Sequence, residues 1–256
     1  MAVLDTAQLD TLRADLWFGG LPADLSQALV AQGVLRRVRH AQHMFFRGDA
    51  PDGLYAVLSG TLRVFGVTAC GKEALLSVMA PPLWFGEIAL FDKLPRTHDV
   101  QADGDALVLH VPDAALQAML EAHPGWWHHF GVLVSLKTRL LMIMLESQAL
   151  LTPEGQLARR LLWMVRTSAL GQGEEAVRLK VRQGTLGEML SMARQTVNRI
   201  LKDLEARGVV KLAYGTVEVS DIHLLADVAL LTPMERRVLK HLGERTEAVQ
   251  RQRDFP

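Results

Sequence analysis

The chain has 256 residues, 49% of them hydrophobic, and its 28 Lys and Arg balance 28 Asp and Glu. No apolar run reaches the ~18 residues needed to span a bilayer, and the single cysteine, Cys70, excludes an intrachain disulfide and a cysteine-held iron–sulfur cluster within one chain. Met1 to Arg13 mixes acidic and polar residues and lacks the basic start and apolar core of a secretion signal, so a cytoplasmic protein with a sizeable core is expected.

The first 40 residues read as short helices. Pro22-Ala23-Asp24-Leu25 has the form of a helix start, with Leu25, Leu29 and Val30 on one apolar stripe. From Gln42 the period changes. Met44-Phe45-Phe46, Gly53 to Leu58, Thr61 to Phe65 and Leu75 to Met79 are short strand-like runs, separated by Gly48-Asp49, Ser59-Gly60, Cys70-Gly71-Lys72 and Pro81-Pro82. Asp99 to Ala102 and Ala106 to Val111 supply the last strands. Short strands at such spacing, with Gly at the turns, predict a small antiparallel barrel or sandwich.

Within that region, Trp84-Phe85-Gly86-Glu87-Ile88-Ala89-Leu90-Phe91 is followed by Pro95-Arg96-Thr97-His98. The Gly-Glu pair opens one short helical turn, whose free N–H groups attract an anion. A carboxylate accepts from a sugar hydroxyl, and a guanidinium grips a phosphate through two parallel bonds. These residues together suit a sugar phosphate.

After Pro112-Asp113 the pattern is helical: Ala114 to Ala122, a break at His123-Pro124-Gly125, then a long helix from about Trp126 to Ala149. Trp127, Phe130, Val134, Leu141, Leu145 and Gln148 recur at intervals of three, four or seven, interrupted near Lys137-Thr138. That spacing fits a coiled-coil-like dimer seam; a buried helix of a monomer is the competing reading. Thr152-Pro153-Glu154 restarts a helix with a Thr cap, Pro at N1 and an acidic first turn, and marks a hinge.

Charge is divided along the chain. Residues 1–120 carry 9 Lys/Arg against 13 Asp/Glu, a net of −4, and residues 121–256 carry 19 against 15, a net of +4. A basic second half suits an anionic partner. There, Leu186 to Leu190 reads as a short helix, Ser191-Met192 as a tight turn and Ala193 to Glu205 as a second helix. Val197, Ile200, Leu201 and Leu204 form its inner face, while Arg194, Gln195, Asn198, Arg199 and Lys202 share the outer one. A polar, Arg-rich face near a helix N-terminus fits a major groove, where Arg can pair with guanine and Gln with adenine. Gly208 to Val219 completes a strand–turn–strand wing. An ordinary solvated face is the plainer reading of the helix alone; helix, turn, helix and wing in order favour DNA.

The two halves together resemble the CRP/FNR family of bacterial transcription regulators, from about Leu16 to Asp221. The resemblance rests on Leu58-Ser59-Gly60, the Phe-Gly-Glu-Ile-Ala-Leu cassette, Pro-Arg-Thr, the long helix and Arg-Gln-Thr-Val-Asn-Arg. It implies an α+β chain: an N-terminal antiparallel cyclic-nucleotide-binding-like β-roll with leading helices over 1–122, a dimerisation helix over 123–151, and a winged helix-turn-helix over 152–256. It also implies a homodimer acting on promoter DNA beside RNA polymerase, with a cyclic nucleotide as candidate effector. Carried over, Glu87 would bind a ribose hydroxyl, Arg96 and Thr97 the cyclic phosphate, and Gly86, Ile88 and Ala89 would form the cassette. Arg194, Gln195 and Arg199 would read bases, Asn198 would lie on the same face, and Thr196 and Lys202 would meet phosphates, which position without specifying sequence.

Five positions depart from the family pattern. The adjacent Thr and Ser that meet adenine in cyclic-AMP-responsive members fall at Leu141 and Met142, so hydrogen-bonded recognition of the base edge is lost. His98 stands where a small residue commonly follows, and could narrow the phosphate end or add a donor. Gln195 replaces a Glu; it donates as well as accepts, which shifts preference from cytosine toward adenine. Ser191 replaces the usual turn Gly, at a cost of about 1 kcal/mol.

Other readings stay open beside these. Glu87 and Arg96 could pair with each other in a vestigial pocket that binds nothing. His123, His128 and His129 could hold a metal, but lack a nearby Cys or carboxylate and do not stack on one helix face; no metal is expected. Cys70 reads as a plain thiol in a hairpin turn. Leu231-Thr232-Pro233-Met234-Glu235, followed by Arg236, Arg237 and Lys240, predicts an extra helix packed on the DNA-binding domain or on a partner. A cyclic-nucleotide-controlled enzyme is the remote alternative, since the second half contains no Gly-rich phosphate loop, nucleophile motif or metal spacing; a non-enzyme is expected.

Overall fold

The structure is a computed structural model that describes residues 4–168, 177–233 and 235–236. The chain divides into two compact units, Met1–Arg139 and Leu140–Pro256.

The first unit begins with helices α1 (Thr6–Arg13) and α2 (Ala23–Gln32). Eight strands follow: β1 (Val34–Val38), β2 (His43–Phe45), β3 (Gly53–Ser59), β4 (Leu62–Val67), β5 (Glu73–Met79), β6 (Leu83–Phe85), β7 (Asp99–Ala102) and β8 (Ala106–Pro112). A short helix α3 (Ile88–Asp92) sits between β6 and β7, and α4 (Asp113–Ala122) follows β8. The strands form two antiparallel sheets, ordered β1-β8-β3-β6 and β2-β7-β4-β5. Val34 to Val38, expected among short helices, is a strand paired with Ala106 to His110. Its Val-Leu-Arg-Arg-Val pattern is polar because it forms a sheet edge, and only Val38 is buried.

β3 is apolar along nearly its whole length because both of its faces are covered. Tyr55 and Val57 enter the roll between the sheets with Leu62, Phe85, Val100 and Val108. Leu54, Ala56 and Leu58 face the helices and pack with Leu12, Trp17, Leu25, Trp84, Leu116 and Leu120. Phe18 stacks on Trp84 at 5.2 Å between ring centroids, and Trp17 meets the same indole edge-on at 5.4 Å.

The long helix α5 (Trp127–Leu150) runs through the boundary between the units. Its first turns are no free seam. Phe130 is fully buried in the first unit's core, and Trp127 packs on Phe91 at 5.2 Å. The expectation that Trp127 and Phe130 belong to a dimer seam is therefore corrected. Trp17 explains it: the indole Nε1 donates to His129 O at 2.6 Å and the ring lies 5.4 Å from Phe130, so this stretch of α5 completes its own core. Leu141, Met142, Leu145 and Leu150, farther along, are each more than 60% exposed.

In the second unit, α6 (Pro153–Ser168), β9 (Val177–Lys180), α7 (Gln183–Leu190), α8 (Arg194–Ala206), β10 (Val210–Ala213), β11 (Thr216–Val219) and α9 (Ile222–Val228) follow the end of α5. The strands form one sheet ordered β10-β11-β9. Leu157, Leu161, Leu186, Val197, Leu201, Leu204 and Leu225 are all fully buried, so each helix turns one apolar stripe inward. The extra helix expected after Leu231 is described only through Arg236; Met234, Arg237 and Lys240 lie outside the described residues.

Candidate effector site and DNA-reading helix

Gly86 opens the cassette with φ at +98°, and a Cβ there would come within 2.8 Å of Gly53 O and 3.0 Å of Arg96 Nη1. A side chain at this position is therefore excluded by backbone shape and by the arginine behind it. Glu87 caps α3, with Ala89 buried and Ile88 half exposed. The Glu87 carboxylate is 3% exposed, and Oε2 accepts from Lys137 Nζ at 2.7 Å. The same ammonium donates to Trp84 O at 2.7 Å, so α5 is tied to the cassette at two points.

Arg96 is 6% exposed. Its Nη2 donates to Asp52 Oδ1 at 2.7 Å and to Gly53 O at 2.9 Å, and its Nη1 to Gly86 O at 3.4 Å. The guanidinium lies 4.4 Å from the centroid of the Phe45 ring. Arg96 Nε is buried and has no hydrogen-bond partner among the described residues. Glu87 and Arg96 thus do not pair with each other, because each has a partner of its own. The adjoining Thr97 is exposed, and its Oγ1 lies 2.9 Å from His98 Nδ1. Burial first, and the charge of Arg47 second, lower the His98 pKa.

A partly buried set of polar groups stands behind Arg96, with Tyr55 and His110 buried and Asp52 and Arg36 exposed. The Tyr55 hydroxyl donates to Asp52 Oδ2, Arg36 Nη1 donates to the Tyr55 oxygen at 3.2 Å, and His110 stacks on the Tyr55 ring at 4.4 Å with Nε2 3.0 Å from Asp52 O. Burial would raise the Asp52 carboxyl, but the bonds from Tyr55 and Arg96 bring it below its ordinary value. Burial and the bond to Asp52 raise Tyr55, and burial lowers His110. Sequence reasoning missed Asp52, Tyr55, His110, Arg36 and Lys137 as parts of this site. The visible signals were a Tyr and a His at alternating positions of apolar strands, and a Lys that interrupts the apolar pattern of α5.

Leu141 and Met142 lie in the second unit, with 65% and 62% exposure. His123 stacks on Trp126 at 4.2 Å, and His128 meets His129 edge-on at 5.5 Å. The described residues contain no group of three or more His, Cys, Asp or Glu placed to hold a metal.

In the second unit, α7 and α8 join through Ser191, which takes the left-handed conformation (φ 53°, ψ 36°) expected at that turn. Met192 N donates to Gly187 O at 2.8 Å, and a Cβ on Gly187 would come within 2.6 Å of Met192 O, so the turn folds tightly back over this glycine. Val197, Ile200, Leu201 and Leu204 are buried, which leaves Arg194, Gln195, Arg199 and Lys202 exposed and Thr196 half-buried. Asn198 departs from the outward set. Its Nδ2 donates to Gln183 Oε1 at 2.9 Å, bridging α8 to α7. Arg199 leans toward Asp203 at 3.6 Å, an exposed contact that leaves the guanidinium available. The hairpin β10–β11 pairs Ala213 with Thr216 across a Tyr214-Gly215 turn, and Tyr214 is fully exposed.

Residues 35–123 match the cyclic nucleotide-binding domain, and residues 155–228 match the Crp-like helix-turn-helix domain. The cyclic AMP receptor protein of Thermus thermophilus is 30% identical over 186 residues, covering 73% of this chain and 83% of that protein. The chain belongs to the CRP/FNR family of transcription regulators. The CRP-like cAMP-activated global transcriptional regulator of Mycobacterium tuberculosis is 26% identical, covering 72% of this chain and 82% of its own. Among solved structures, a cyclic nucleotide binding protein of Ruegeria pomeroyi, itself described as putative, shares the fold with a TM-score of 0.66 at 23% identity, over 88% of this chain and 98% of that one. As in a CRP/FNR regulator, the cassette and Arg96 fall inside the nucleotide-binding domain, and α7, α8 and the wing fall inside the helix-turn-helix domain. No helix among the described residues is long and apolar enough to cross a membrane.

Proposed function

We propose that this CRP/FNR regulator is a homodimer that binds promoter DNA through α8 and is switched by a small anionic effector of the cyclic nucleotide class. One observation carries the effector half: Arg96 Nε is a buried guanidinium donor with no partner among the described residues, beside the cassette that contains Gly86 and Glu87. A buried donor left unpaired costs about 1–3 kcal/mol, and a phosphate oxygen would remove that cost. In this reading Arg96 and Thr97 hold the phosphate, Glu87 accepts from the ribose hydroxyl, and Gly86, Ile88 and Ala89 shape the turn. Leu141 and Met142 are apolar where adenine-reading relatives carry hydroxyls, so these two positions supply no hydrogen-bonded reading of a base edge. Relatives named for cyclic AMP support the ligand class.

The exposed Leu141, Met142, Leu145 and Leu150 support a dimer seam on the second half of α5. Two recognition helices then meet half-sites about 34 Å apart, with Arg194, Gln195 and Arg199 toward bases and Thr196 and Lys202 toward phosphates. RNA polymerase is the expected partner at the promoter, and the compartment is the cytoplasm.

A second reading is favoured by a specific observation. Lys137 already neutralises Glu87, and Asp52 already engages Arg96, so an empty pocket is largely satisfied. Calorimetry and thermal shift with cyclic AMP, cyclic GMP and cyclic di-GMP separate the two. Heat and a raised Tm that vanish in Arg96→Met support the switch. No response to any of the three at millimolar concentration supports a vestigial pocket.

A further inference from the structure

The chain after α9 lies beyond residues 155–228, the part matched to the helix-turn-helix domain. Its described residues, 229–233 and 235–236, are held to the unit. Ala229 is fully buried and Leu231 nearly so. Thr232 and Glu235 cap each other: Thr232 N donates to Glu235 Oε2 at 2.6 Å, and Glu235 N donates to Thr232 Oγ1 at 3.2 Å. Arg236 Nη2 donates to Asp227 Oδ1 at 2.9 Å.

Arg159 on α6 sits at the centre of this segment, 4% exposed. Nη1 donates to Glu235 Oε1 at 2.7 Å and to Ser147 Oγ at 3.0 Å; Nη2 donates to Leu230 O at 3.1 Å and to Glu235 Oε2 at 3.4 Å; Nε donates to Ala229 O at 3.2 Å. All five N–H groups of a guanidinium are thereby spent. Ser147 in turn donates to Ile143 O at 2.6 Å, within α5. One buried cation therefore joins the end of α5, the body of α6 and the chain beyond α9.

Packing alone does not require such an arrangement. A buried ion pair is often matched or bettered in stability by apolar residues of similar volume, and its best-attested use is to select one arrangement over others. Two of the three elements joined here, α5 and α6, connect through Leu151-Thr152, where α5 ends and α6 begins. We propose that residues 229–233 and 235–236 are a lock on that junction. Glu235, held through Arg159, fixes the angle between α5 and α6, and with it the spacing of the two recognition helices in a dimer. The lock rests on the reading of α8 as the DNA-reading helix only for this last consequence.

The test uses the full chain and two variants, Glu235→Gln and the double replacement Arg159→Met with Glu235→Met, which removes the charges together. Three quantities are measured: the dimer fraction by sedimentation, amide exchange of residues 147–156, and affinity for a duplex selected from a random pool by the unaltered protein, alongside an unrelated duplex. The lock predicts at least tenfold faster exchange at the junction in both variants. It also predicts tenfold or greater weakening on the selected duplex, a change under twofold on the unrelated one, and an unchanged dimer fraction. If Glu235→Gln fails to fold, the double variant decides. Junction exchange and selected-duplex affinity within twofold of the original in the folded variants overturn the lock, as does an equal loss on both duplexes. If the unaltered protein selects no duplex, the regulator reading fails, and the exchange measurement alone decides the lock.

Discussion

Lys137 Nζ lies 2.7 Å from Glu87 Oε2 and ties the long helix α5 to the turn that opens the Gly86-Glu87 cassette. The carboxylate is almost fully buried, whereas the ammonium retains 28% exposure. Removing the lysine leaves a buried charge without its partner. Lys137→Met should therefore lower unfolding stability by ~2–3 kcal/mol, and adding Glu87→Gln should restore at least half of it. Urea unfolding of the two single variants and the double one tests this. A loss under ~0.5 kcal/mol in Lys137→Met would show that the pair is solvated in practice.

The same part of the first unit contains a carboxyl with a distinctive titration. Asp15 Oδ1 accepts from Trp17 N at 3.0 Å and Phe18 N at 2.8 Å, and burial pushes its pKa up to about 6 against those bonds and the charge of Lys137. Between the ordinary value of 3.8 and about 6, the folded protein retains a proton that the unfolded chain has released. Stability must then fall as pH rises through that window, by ~3 kcal/mol in total. Asp52 runs the other way: its lowered pKa gives stability that is lost only as pH drops below 3.8. Asp15→Asn retains the acceptor for both N–H groups and removes the titration. Its stability should be flatter between pH 4 and pH 6 and should exceed that of the unaltered protein at pH 7.5. A parallel pH profile for the two proteins would refute the assignment.

What the sequence made legible was local. Gly86-Glu87 and Arg96-Thr97 are chain neighbours, so their chemistry shows in four letters, and the left-handed Ser191 follows from a turn of known shape. The partners of those residues were not legible. Asp52 reaches Arg96 across 44 positions and Lys137 reaches Glu87 across 50, contacts that exist only once the sheets have closed and α5 has packed. The edge strand β1 was hidden for a related reason. Its arginines show no apolar alternation because one side of the strand lacks a neighbouring strand. The periodicity of α5 misled at Phe130 because a helix stripe carries no label for what covers it; Trp17 and the first core cover that part.

The exposed stretch of α5 gives a direct test of assembly. Leu141, Met142 and Leu145 present contiguous apolar side chains that no other part of the described second unit buries. Burying a leucine side chain is worth ~1.5–3 kcal/mol, and a twofold seam counts each position twice. Leu145→Asp should therefore weaken self-association by at least a hundredfold in sedimentation equilibrium, with the thermal transition of the first unit unchanged. Persistence of the dimer at micromolar concentration would place the interface elsewhere.

On the proposed reading, α8 separates base reading from support. Arg194 and Gln195 are exposed at the start of α8, whereas Asn198 is occupied with Gln183. Arg194→Ala should cost ~1–3 kcal/mol on the selected duplex and relax preference at one base pair. Gln195→Glu replaces an amide that donates and accepts with a group that only accepts, so preference at its base should move from adenine toward cytosine. Asn198→Ala breaks the tie between α8 and α7, so it should lower Tm and weaken all duplexes alike without altering the preferred sequence. Selection from a random pool with each variant reads all three outcomes. A sequence change in Asn198→Ala, or none in Gln195→Glu, would reverse the assignment of reader and support.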